Sequence, residues 1–123
     1  MAFSDEQAMI LDSAQAFCRD KSDGNAVRSL LKSETGFNQD VWDEMVALGW
    51  TGLSIPEQFG GFAMGIGATV PLVESMGRHM LCTPYISATI AAQAIARCGS
   101  EPQQSKWLPA LVKGTIGTLA LLD

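Results

Sequence analysis

The chain has 123 residues, a length that fits one domain and can bury a core without disulfide or metal staples. Charged residues make up 17%, below the roughly 25% of an average soluble protein, so other protein is expected to cover part of the surface. Eight basic and thirteen acidic residues give a net charge of −5 with no basic block, which argues against nucleic acid or a polybasic membrane anchor.

Ser4 and Gln7 form a capping box, and Ile10, Leu11, Ala14, Phe17 and Cys18 recur at helical spacing. This predicts an amphipathic helix to about Lys21, with Gly24 marking the break. A shorter helix over residues 25–33 stops at Gly36. Asn38 caps a third, with Val41, Trp42, Met45 and Leu48 on its apolar face and Gly49 as its left-handed end. Residues 50–61 hold too much Gly and Pro for a helix and are apolar enough to pack down as an ordered loop. The helical pattern returns over residues 65–80, starting or kinking at Pro71. After a turn at 82–84, a fifth helix over residues 85–98 is apolar nearly all round, which predicts burial on most sides with more protein packed on it. Ser100 and Gln103 form a second capping box, and a short sixth helix to about Trp107 meets a break at Pro109 before Lys113 and Gly114.

Residues 115–123, TIGTLALLD, read as the start of a β-strand with no partner strand elsewhere in the chain. The expected fold is therefore all-α, about six helices in an up-down or orthogonal bundle over residues 1–114. Residues 115–123 are expected to enter a β-sheet domain that the chain lacks.

Three cysteines, Cys18, Cys82 and Cys98, form no CxxC pair, and the single His79 cannot complete a Cys/His zinc cluster. The start, MAFSDE, is acidic where a signal peptide is basic, and no apolar run approaches the ~20 residues of a membrane span. A cytoplasmic protein with reduced thiols is expected, Cys18 and Cys98 in the core and Cys82 more exposed beside a turn. The glycines at 60–67 miss the GxGxxG spacing because position 70 is Val70, and no strand precedes them, so they read as a turn into the next helix. His79 follows Arg78 late on a helix and is expected at the helix end rather than in catalysis. Glu74 could be a base of raised pKa, but its order with Arg78 at i+4 favours a salt bridge. Glu57 is expected to satisfy loop amides, and core packing or helix–helix contact explains Trp42, Trp50, Phe59, Tyr85 and Trp107 as well as any ligand does.

The order of landmarks resembles the N-terminal helical domain of the acyl-CoA dehydrogenase family. The residues that carry it are WDEMVALGW at 42–50, GLSIPEQFGG at 52–61, VESMGR at 73–78, GSEPQQSKWLP at 99–109 and then Lys113-Gly114. The resemblance implies an FAD enzyme that places a C=C bond between Cα and Cβ of an acyl-CoA thioester. A carboxylate removes the α-proton, and the β-hydrogen leaves as hydride to the flavin. It also implies a β-sheet middle domain and a helical C-terminal domain, with the flavin between these and a partner subunit. The flavin contacts and the catalytic carboxylate of the family then fall beyond residue 123, so no catalytic residue is assigned and activity of this chain alone is not expected.

By position, the resemblance maps one wall of the acyl-chain pocket onto Cys82, Thr83, Ile86 and Ile90. Ile86 and Ile90, at i and i+4, either line a narrow apolar slot or pack on neighbouring helices. The implied partners are acyl-CoA in the complete enzyme and a homo-oligomer or the absent domains. The rival reading is a non-catalytic helical interaction or dimerisation module.

Overall fold

Side-chain caps set most of the helix starts in the computed structural model, which describes residues 3–122. Ser4 and Gln7 close the start of α1 (Asp5–Lys21) reciprocally, as Ser100 and Gln103 close that of α6 (Glu101–Val112). Asp23 caps α2 (Gly24–Leu30), and the Asn38 side chain accepts from two amides at the head of α3 (Gln39–Ala47). Pro71 lies in the first turn of α4 (Val70–His79), where its missing N–H costs nothing, so the helix starts there and does not kink. The fifth helix, α5, spans Tyr85–Cys98 as expected. Short 3₁₀ turns at Trp50–Gly52, Glu57–Phe59 and Ile66–Thr69 complete an all-α fold without a strand among the described residues.

α1 and α4 run side by side in the same direction. At their starts Gln7 Nε2 donates to the Gly67 carbonyl at 2.8 Å, and at their ends Ser22 Oγ donates to the His79 carbonyl at 2.8 Å. Between these ties lie Ala14 and Cys18 of α1 and Leu72 and Met76 of α4, joined by Trp42 and Met45 of α3 and Tyr85 of α5. Full burial of side chains such as Met45 and Leu72 contributes about 1.5–3 kcal/mol each. A second cluster, Ile55, Ala92, Leu108 and Leu111, lies between α5, α6 and the loop after α3. The Tyr85 hydroxyl donates to the Trp50 carbonyl at 3.0 Å and ties the start of α5 to the turn after α3.

The loop after α3 is ordered, as its composition suggested, and its order has a specific source. Phe62, Ala63 and Met64 amides donate to the Gly52, Ile55 and Leu53 carbonyls at 2.9, 3.0 and 2.9 Å, folding the chain back on itself. Gly61 sits inside that fold against Ile55, where a Cβ would meet the Ile55 carbonyl oxygen. Gly49 ends α3 at φ +80 with the Phe62 ring against it, so only glycine fits there in both conformation and space.

Several expectations are corrected. Gly24 opens α2 rather than breaking the chain, because Asp23 before it accepts from the Ala26 amide; α2 then ends at Leu30 and not near Ser33. α6 runs through Pro109 to Val112, since buried Leu108 and Leu111 hold that last stretch against α5 and Lys113 N–H still donates to the Pro109 carbonyl at 3.2 Å. Cys98 is exposed, because it falls on the outward side of the last turn of α5. Residues 115–122 carry no regular secondary structure, and Asp123 lies outside the described residues. They are held where they begin: the Gly114 carbonyl accepts from Trp42 Nε1 at 3.1 Å and the Thr115 amide donates to the Ala110 carbonyl at 3.1 Å.

Candidate functional site

α5 is apolar all round, yet it is buried on one side only. Tyr85, Ala88, Ala91 and Ala92 turn inward, while Ile86 and Ile90 are 47% and 45% exposed. One turn apart, these two isoleucines form a ridge along the open side. The surface around them is almost free of charge. From residue 58 to residue 96 only Glu74 and Arg78 are charged, and they neutralise each other across 3.0 Å on the outside of α4. That ion pair is the salt bridge expected from their spacing.

Of the shallow grooves that border the ridge, two hold the residues predicted for the site. One, of about 370 Å³, lies between Thr83, Ile86, Ser87 and Ile90 on one side and Leu119 and Leu121 on the other. The second, of about 420 Å³, runs between α4 and α5 and is lined by Val73, Met80, Cys82, Thr83 and Ile86 among others. Thr83 and Ile86 belong to both. The structure thus gathers Cys82, Thr83, Ile86 and Ile90 around one open aliphatic surface, with both isoleucines half-exposed. Leu119, Leu121 and Met80 were not anticipated; the alternation of Leu119 and Leu121 in the final segment was the available signal.

The polar groups here are few. Ser87 Oγ bonds back to the Pro84 carbonyl at 3.1 Å, whereas Thr83 Oγ1 is enclosed without a partner. Cys82 is exposed at the turn, as expected. Burial pushes the Tyr85 phenol above its usual range, and it serves as a structural donor. His79 lies at the end of α4, its carbonyl taken by Ser22. Among the described residues no group of three or more His, Cys, Asp or Glu is placed to hold a metal ion, and no helix is long and apolar enough to cross a membrane.

A helical domain with an uncharged, open aliphatic face is the class that fold and surface define together. Residues 4–115 match the family described as "Acyl-CoA dehydrogenase, N-terminal domain". The chain belongs to the acyl-CoA dehydrogenase family through that domain. It is 33% identical over 96 residues to acyl-CoA dehydrogenase FadE27 of Mycobacterium tuberculosis, covering 76% of this chain and 26% of that protein. A solved Tcur3481-Tcur3483 steroid ACAD variant superposes with a TM-score of 0.83 at 31% identity, over 89% of this chain and 30% of that one. The ChsE4-ChsE5 complex from Mycobacterium tuberculosis shares the fold, with a TM-score of 0.84 at 23% identity over 92% of this chain and 31% of that one. The chain thus spans about 30% of the length of these relatives.

Proposed function

We propose that this chain provides one wall of the acyl-chain pocket of an enzyme that dehydrogenates an acyl-CoA thioester between Cα and Cβ. The observation that carries the reading is the coincidence of the four residues Cys82, Thr83, Ile86 and Ile90 on one uncharged, half-exposed surface. Ile86 and Ile90 differ from the chain's scattered exposed apolar side chains in lying one turn apart beside shared grooves, which makes them a patch. Each contributes about 25 cal/mol per Å² of apolar surface once covered, so an alkyl chain laid along the ridge, or protein closing over it, recovers that term. Ile86 and Ile90 would hold the acyl chain straight and keep water from it, and Thr83 and Cys82 would set the end of the slot.

FAD is the family's cofactor, and the residues described here do not fit it. The grooves that hold Cys82, Thr83, Ile86 and Ile90 carry no cation to meet a pyrophosphate. Arg97, in a separate groove toward the far end of α5, is the single cation on that helix. The N-termini of α1, α2, α3 and α6 are closed by side-chain caps, while those of α4 and α5 are not. No step is therefore routed through a flavin held by these residues. Abstraction of the α-proton and acceptance of hydride belong to groups outside them, and this chain alone is expected to be inactive. The 31%-identical relative Tcur3481-Tcur3483 carries two protein names, which favours work within an assembly, with further protein over the α5 face.

Titrating the ¹⁵N-labelled chain with octanoyl-CoA tests the reading. Amide shifts concentrated at residues 82–90 and 118–121 are expected. Shifts confined to α1 and α2, or spread evenly over the surface, would refute it.

A further inference from the structure

Thr83 has a hydroxyl that the fold leaves without work. Its Oγ1 has essentially no exposed surface and no hydrogen-bond partner, although the residue lines both grooves beside α5. What Thr83 turns toward the grooves is therefore carbon or backbone, with the oxygen folded inward. Its neighbour on the same groove behaves differently, since Ser87 Oγ is satisfied by the Pro84 carbonyl. An enclosed polar group without a partner is costly, and valine would have the same shape without that cost. A 120° rotation about χ1 carries the hydroxyl to another staggered well, the methyl and hydrogen moving on with it, which is a small step for a residue on an open surface.

Resting on the reading of this face as an acyl-pocket wall, we propose that Thr83 is a specificity residue for an oxygenated acyl group. Its hydroxyl rotates into the groove and donates to a ketone oxygen carried along the chain of the substrate. An all-hydrocarbon chain offers nothing to that hydroxyl and leaves it enclosed. A ketone offers an acceptor, and the resulting bond replaces an unmade one. Discrimination by such a site comes from the unpartnered group as much as from the bond itself. Of the other side-chain hydroxyls on this groove, Ser87 is engaged and Thr118 lies exposed at the rim, where water competes for its bonds; the rest of the wall is Ile86, Ile90, Leu119 and Leu121.

The test compares octanoate and 7-oxooctanoate, at millimolar concentration, on the ¹⁵N-labelled chain and on Thr83→Val. For the unmodified chain the oxo acid is expected to bind about tenfold more tightly, the ratio a hydrogen bond of ordinary strength gives. In Thr83→Val the two acids should bind alike. Thr83→Val should also raise the melting temperature of the free chain, because it removes an unpartnered hydroxyl. Equal binding of the two acids to the unmodified chain overturns the proposal while leaving the wall intact, provided both shift the Ile86 and Ile90 amides. A preference that survives in Thr83→Val overturns it as well. If neither acid shifts those amides, the wall reading falls and takes the proposal with it.

Discussion

Gly61→Ala is expected to be among the most damaging single-methyl additions to this chain, although Gly61 does not have a positive φ. An ideal Cβ there would overlap the Ile55 carbonyl oxygen and approach Ile55 C and Cβ to 2.5 and 2.7 Å. These are backbone and core atoms that cannot swing aside, because Ile55 is 1% exposed and packs with Leu108 and Leu111. The loop must open, which forfeits the bonds from the Phe62, Ala63 and Met64 amides. At about 1 kcal/mol each, with part of the Ile55 burial, the loss is about 3–5 kcal/mol. Unfolding entropy for a chain of this length converts that into a fall in Tm of roughly 12–20 °C. Gly60→Ala is the control: at φ +91 with nothing within 4 Å it suffers backbone strain alone, about 1–2 kcal/mol or roughly 4–8 °C. Thermal melts followed by circular dichroism at 222 nm separate the two. A Gly61→Ala melt within 4 °C of the unmodified chain, or less affected than Gly60→Ala, would refute the reasoning.

Three other outcomes are expected. Burial raises the Cys18 thiol from the usual 9.0 to about 11, so the folded chain keeps its proton while the unfolded chain loses it above pH 9. Stability from this group is complete below pH 9 and is lost as pH rises toward 11, which urea titrations at pH 8 and 10.5 in the chain and in Cys18→Ala will show; equal pH slopes would contradict it. Tyr85→Phe removes the donor to the Trp50 carbonyl and should cost about 1 kcal/mol, roughly 4 °C in a thermal melt, with no change implying a bond of no net worth. Titrating FAD with the chain should give no saturable fluorescence change; saturation would show a flavin site among residues judged unfit for one.

What could be read in advance was local. The two capping boxes, the Asn38 cap and the left-handed Gly49 each depend on residues within a few positions of one another, and all lie where the spacing put them. The Glu74–Arg78 pair is local in the same way. Pro109 misled because the penalty for proline in a helix is intrinsic, whereas what retains α6 around it is the packing of Leu108 and Leu111 against distant segments. The return of residues 62–64 onto 52–55 was equally invisible, since glycine content signals a bend and not its hydrogen-bond register.

For the site, family position supplied Cys82, Thr83, Ile86 and Ile90. Composition alone argued for burial of α5 on most sides, and within the described residues Ile86 and Ile90 stay half-exposed. Sidedness at that level depends on which neighbours are present, which a helix rich in alanine and isoleucine does not encode. Leu119 and Leu121 reach the groove through the turn at Gly114, fixed by Trp42 from far upstream.

The central claim, that the open face of α5 receives an acyl chain, is met most directly by photochemical cross-linking. A diazirine-tipped decanoyl-CoA is irradiated with the chain, and the adducts are mapped by peptide mass spectrometry. The account predicts adducts within residues 82–90 and 118–122, competed away by octanoyl-CoA. Adducts that fall on α1 to α3, or that octanoyl-CoA fails to compete, would contradict it.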